Sequence, residues 1–159
     1  MKRAQRLELV QRATEHAERD RAELLVRAEQ EVQACEAKLA ELTRYRRDYE
    51  RTLGTPDLPG RDVSQLRDFQ VFLARLTEAI SQQRVLLTQA RARREAQLAH
   101  WQQAAQRAKA VGTLADRWQA EDRRSEDRRE QNETDERAQR VVSRSAAGHA
   151  GEDQSGDAS

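Results

Sequence analysis

Between Leu66 and Trp118 the chain sets Leu66, Phe69, Leu73, Leu76, Ile80, Gln83, Leu87, Ala90, Arg94, Gln97, Trp101, Ala104, Ala108, Val111, Ala115 and Trp118 at steps that alternate strictly between three and four. That is the heptad signature of a helix with one narrow apolar seam. Only Gln83, Arg94 and Gln97 interrupt the apolar set. A seam of this width is covered by another helix, not by a sheet or a wide core. Composition agrees: of 159 residues, 36% are charged, 36% hydrophobic and only 4% aromatic, with a mean hydropathy of -1.05. The apolar residues are mostly Leu and Ala, strong helix formers.

The covering helix lies upstream. Leu7, Val10, Thr14, Ala17, Arg21, Leu24, Ala28, Val32, Cys35, Leu39, Leu42, Arg46, Tyr49 and Leu53 form a second stripe at steps of three and four. Its one irregularity is Leu24, Ala28 and Val32, separated by four and four, which predicts a stutter and local unwinding of the supercoil. Between the stripes, Gly54-Thr55-Pro56-Asp57-Leu58-Pro59-Gly60 holds both prolines, so one helix stops and the chain turns. Either Asp62, with Gln65 three residues on, or Ser64 caps the next helix. The reading is therefore all-α: a long antiparallel two-helix coiled-coil hairpin over 1–144, with helices at 3–53 and 64–140 and a loop at 54–63.

Register follows from residue numbers. Tyr49 with Phe69, Leu42 with Leu76, Cys35 with Gln83, Ala28 with Ala90, Ala17 with Trp101 and Val10 with Ala108 each sum to 118, while Leu39 with Ile80 and Val32 with Leu87 sum to 119. The arms close without slippage, and large residues meet small ones, as with Trp101 against Ala17. By the same register Trp118 pairs with nothing, so the second helix has a C-terminal helical overhang that is almost free of apolar residues. From Ser145 to Ser159 only Ser, Ala, Gly, His, Gln and acidic residues remain, a composition read as a disordered tail.

Charge is mixed: 29 Lys and Arg against 28 Asp and Glu give +1, which excludes a whole-chain polybasic binder of nucleic acid. One stretch, Arg84 to Trp118, carries seven basic and two acidic residues and reads as a solvated face or a dock for an acidic partner. No apolar run approaches the roughly 18 residues of a membrane span, so direct membrane insertion is not expected and the chain reads as cytoplasmic. Cys35 stands alone on the apolar stripe, and His16, His100 and His149 share no ligand spacing, so no metal site, cofactor or catalytic group is expected. Both tyrosines and both phenylalanines lie between Tyr45 and Phe72. Tyr45, Phe72 and Ala79 flank the seam there, forming either a binding patch or a widened seam.

The run Leu39, Leu42, Tyr45, Tyr49 before a Gly/Pro loop, then Ser64-Gln65-Leu66, Phe69, Phe72-Leu73, Leu76, Ala79-Ile80, Gln83, Trp101, Lys109-Ala110, Leu114, Arg117, Glu130-Gln131 and Asp135-Glu136, resembles the flagellar export protein FliJ family. The resemblance spans roughly Leu7 to Ala138. It implies a non-enzymatic component of the flagellar type III protein export apparatus, similar to a rotary-ATPase stalk. The implied partners are the hexameric export ATPase, the cytoplasmic domain of the export gate and export chaperones, with peripheral placement on the cytoplasmic side of the inner membrane. It further implies an export-gate surface at Leu42, Tyr45, Tyr49, Phe72, Leu76 and Ala79, and an ATPase surface at Arg3, Leu7, Val10, Lys109, Arg117 and Trp118. Two alternatives share the architecture: the corresponding component of a virulence type III secretion system, and a generic scaffolding coiled coil.

Overall fold

A computed structural model describes residues 2–53 and 62–150, all of them helical apart from Lys2 and Asp62. Helix α1 spans Arg3–Leu53 and α2 spans Val63–Ala150. The two long helices pack against each other in an all-α hairpin. The chain divides into two units, Val10–Lys109 and the chain ends, Met1–Leu9 with Ala110–Ser159. Of the expected loop at 54–63, residues 54–61 lie outside the described residues, as do 151–159 of the expected disordered tail at 145–159, whose first six residues are helical.

In the Val10–Lys109 unit the helices run antiparallel, because contacts join early residues of α1 to late residues of α2. Tyr49 stacks on Phe69 with centroids 5.1 Å apart, and the Gln83 side-chain amide donates to the Cys35 carbonyl at 3.2 Å. Both pairs sum to 118, the register read from sequence. Two interhelical ion pairs flank the seam: Arg91 with Glu36 at 3.3 Å and Arg93 with Glu31 at 3.4 Å. Each is about half exposed and adds little energy, but both disfavour a slipped register. The core is a line of Ala28, Val32, Leu76, Ile80, Leu87 and Ala90, with Ile80 1% exposed. Gln83, at 9% exposed, is the polar member, and its amide satisfies itself on the facing helix.

Three expectations are corrected. The stutter in α1 does not exist: the inward positions are Gln11, Thr14, Glu18, Arg21, Leu25 and Ala28, which keep alternating four and three into Val32. Val10, Ala17 and Leu24 turn one position outward, with Val10 48% and Leu24 37% exposed. So the pairings of Trp101 with Ala17 and Ala108 with Val10 are replaced at those levels by half-buried Glu18 and Gln11. A stutter in one arm would rotate it out of phase with a partner that has none, and phase outweighs the polarity of Gln11 and Glu18. Their aliphatic stems cover the seam while their heads reach water.

At the start of α2, Leu66 is not in the seam but 44% exposed. Asp62 holds the cap position, since its carbonyl accepts from the Gln65 and Leu66 N–H groups at 3.0 and 3.2 Å. At its other end α2 continues to Ala150 instead of fraying near Arg140. An i,i+4 pair supports it locally, Glu136 with Arg140 at 3.9 Å, and the Thr134, Ser143 and Ser145 hydroxyls donate to carbonyls one turn back without adding to helix stability. Arg and Glu dominate this stretch, and both have good helix propensity.

In the unit of the chain ends, Leu7, Val111, Gly112, Ala115, Trp118 and Ala120 are buried or half-buried, and every residue from Glu121 to Ala150 is exposed. Gly112 sits inside α2 with no heavy atom within 4 Å of where a Cβ would stand. Gly112→Ala is therefore expected to stabilise this unit by about 0.5–1 kcal/mol through helix propensity alone. A rise in the local opening energy from hydrogen exchange over residues 108–118 would measure it, and a fall would show that the site is crowded.

Candidate interaction surfaces

Near the turn-proximal end of the Val10–Lys109 unit, the flanking position of Tyr45 on α1 faces that of Phe72 on α2. The Tyr45 and Phe72 rings meet edge-on at 6.1 Å, and Phe72 also contacts Tyr49 at 4.5 Å, while Tyr49 stacks on Phe69. Four rings thus form one chain across the two helices. Burial falls along it: Phe69, Phe72 and Tyr49 are half-buried, whereas Tyr45 is 55% exposed. The widened seam and the surface patch are the same object, seen from its inner and outer ends.

The six residues of the implied gate surface come together here but do not share one role. Leu76 is 8% exposed and belongs to the core. Leu42, Tyr49, Phe72 and Ala79 are half-buried, and Tyr45 is the member that reaches solvent. Beside it, Glu41, Leu42, Arg44, Tyr45 and Asp48 line a groove of about 310 Å³. The charged rim, Glu41 four residues before Tyr45 and Asp48 three after, was not singled out in the sequence although its helical spacing was legible.

Among the chain ends, Arg3 lies over Trp118 with its guanidinium carbon 3.5 Å from the ring centroid, and it approaches Glu121 at 4.0 Å. That cation–π contact fastens the start of α1 where α2 becomes bare, at about 0.5–1 kcal/mol for an exposed site. Leu7 is half-buried and Arg117 exposed. Val10 and Lys109 belong to the other unit, both exposed. The basic stretch from Arg84 to Trp118 is partly neutralised: Arg91 and Arg93 are engaged across the seam, and Arg94 meets Glu95 at 3.8 Å.

Sequence reading missed a second groove in the Val10–Lys109 unit, about 380 Å³, lined by Val10, Ala13, Thr14, Ala17 and Arg21 of α1 and His100, Gln103, Ala104 and Arg107 of α2. It exists because Val10 and Ala17 flank the seam instead of filling it. Among the described residues no group of His, Cys, Asp and Glu is placed to hold a metal ion, and no helix is long and apolar enough to cross a membrane.

These features define an all-α coiled-coil hairpin whose distinctive surfaces are an aromatic patch and a bare charged helix. The family model of the flagellar FliJ protein matches residues 1–147, and a flagellar FliJ protein from Salmonella typhi is 34% identical over 125 residues, covering 79% of this chain and 85% of that relative. No solved structure matches the chain. The chain belongs to the flagellar FliJ protein family and is a flagellar export-related coiled-coil protein.

Proposed function

We propose that this protein works in flagellar type III export as a non-catalytic coupling element, binding the hexameric export ATPase through its chain ends and the cytoplasmic domain of the export gate through the aromatic patch. Arg3, Leu7, Arg117 and Trp118, all within the unit of the chain ends, form the ATPase surface, and Tyr45 leads the gate surface. Export chaperones are further partners. These contacts place the protein at the cytoplasmic face of the inner membrane without insertion. The observation that carries the reading is the fully exposed helix from Glu121 to Ala150, which buries nothing of its own and has both signs of charge all round. Such a helix makes shallow, reversible contacts with whatever surrounds it. If the ring's active assembly binds it better than other states do, ATP turnover rises by differential affinity alone, with no catalytic residue supplied.

The test is co-purification with the export ATPase, followed by ATP hydrolysis with increasing amounts of this protein. Turnover is expected to rise with concentration and saturate. Every described residue lost from a chain ended after Glu121 is exposed, so its melting point is expected to stay within about 3 °C of the full chain, while stimulation drops severely. Full stimulation by the shortened chain would remove the bare helix from the mechanism.

A further inference from the structure

We infer that the groove between Val10–Arg21 and His100–Arg107 is a docking site for an acidic amphipathic helix of a partner protein, which lies along it as a third helix. This does not depend on the ATPase reading, because the groove lies wholly within the Val10–Lys109 unit.

Burial within the Val10–Lys109 unit is uneven. Every fully buried residue there falls between Ala28 and Ala90; none lies at 10–27 or 91–109. In that second half the inward positions include Gln11, Glu18, Arg21, Arg94 and Gln97, so two helices alone close it poorly. At the level where Arg21 faces Gln97 by register, the Gln97 Oε1 is buried without a hydrogen-bond partner. Beside this polar seam runs an apolar wall of Val10, Ala13, Ala17 and Ala104, whose small side chains let another backbone come close. The apolar α1 part of the wall, Val10 to Ala17, covers two helical turns, about 10 Å, which suits anchors at i, i+3/i+4 and i+7 of an incoming helix.

Charge selects the occupant. Arg21 and Arg107 stand in the wall, and neither has a carboxylate partner among the described residues, in contrast to Arg91 and Arg93 further along α2. No acidic residue lines the groove. An incoming helix with an Ala/Leu face and flanking Glu or Asp fills the wall and neutralises both guanidiniums, whereas a basic helix meets like charge.

The test uses the full chain and two fluorescein-labelled designed helical peptides with the same Ala/Leu face, one flanked by Glu and one by Lys. Anisotropy is expected to show binding of the Glu peptide, roughly tenfold or more tighter than the Lys peptide and weakening as salt rises. Arg107→Glu is expected to cut Glu-peptide affinity about fivefold or more, and Ala17→Trp to abolish it by filling the wall. Both positions are exposed, so circular dichroism should show unchanged helicity. The inference is overturned by no binding to the wild-type chain, by equal binding of the two peptides, or by undiminished binding to a helical Ala17→Trp variant. A concentration-dependent dimer in light scattering, lost in Ala17→Trp, would assign the groove to a second copy and overturn it equally.

Discussion

Leu76→Asp is expected to unfold the turn-proximal half of the Val10–Lys109 unit, at a cost of about 4 kcal/mol or more. Leu76 is 8% exposed and lies one turn from Ile80, the most deeply buried large side chain, with Leu42 opposite it by register. Truncating a buried Leu costs roughly 2–5 kcal/mol, and an unpaired carboxylate in the same place adds its desolvation. A two-helix seam has no second layer to absorb the loss, and single domains hold only about 5–15 kcal/mol in total. Hydrogen exchange should become fast over 35–50 and 69–83, and the urea midpoint should fall accordingly. Thr77→Asp, one residue on but exposed, is the control, expected within about 0.5 kcal/mol of the parent. Equal effects at positions 76 and 77 would mean that the seam has been placed on the wrong face.

That prediction rests on the part of the molecule easiest to read from sequence. The α2 stripe is apolar nearly throughout, so periodicity alone separates inward Leu76 and Ile80 from outward Thr77. The upstream part of α1 is harder. There Val10, Ala17 and Leu24 look like seam residues because they are apolar, yet Gln11, Glu18 and Leu25 occupy it. The information that decides the matter sits in the other helix, whose unbroken heptads force the same phase on α1. The groove beside Ala17 was invisible for that reason: it appears only once Val10 and Ala17 are rotated outward. The choice between Asp62 and Ser64 as cap depended on backbone bonds that two polar residues either side of Val63 do not disclose. At the far end, the persistence of α2 to Ala150 reflects helix propensity and an i,i+4 ion pair, neither of which needs burial.

The ring chain at Tyr45 separates folding from binding, and this determines how the proposed gate surface has to be tested. Phe72 touches Tyr45 and Tyr49, so Phe72→Ala removes contacts that join the helices and would weaken any partner's binding through loss of fold. Leu76 variants suffer the same ambiguity more severely. Tyr45 is different: at 55% exposed with one edge-on ring contact, its loss is expected to cost no more than about 1 kcal/mol of stability. An exposed aromatic beside a groove with a charged rim has the makings of a binding hot spot, worth about 2 kcal/mol or more when a partner covers it. Tyr45→Ala is therefore expected to weaken binding to the cytoplasmic domain of the export gate by roughly thirtyfold, with helicity and melting nearly unchanged. Titration calorimetry on the purified pair measures this, and swimming should decline in parallel when the variant replaces the parent. Tyr45→Phe keeps the ring and should recover most of the affinity if the contact is apolar, and little of it if the hydroxyl bonds the partner. Unaltered gate affinity in Tyr45→Ala would reduce the patch to a reinforced seam and move the gate contact elsewhere on the chain.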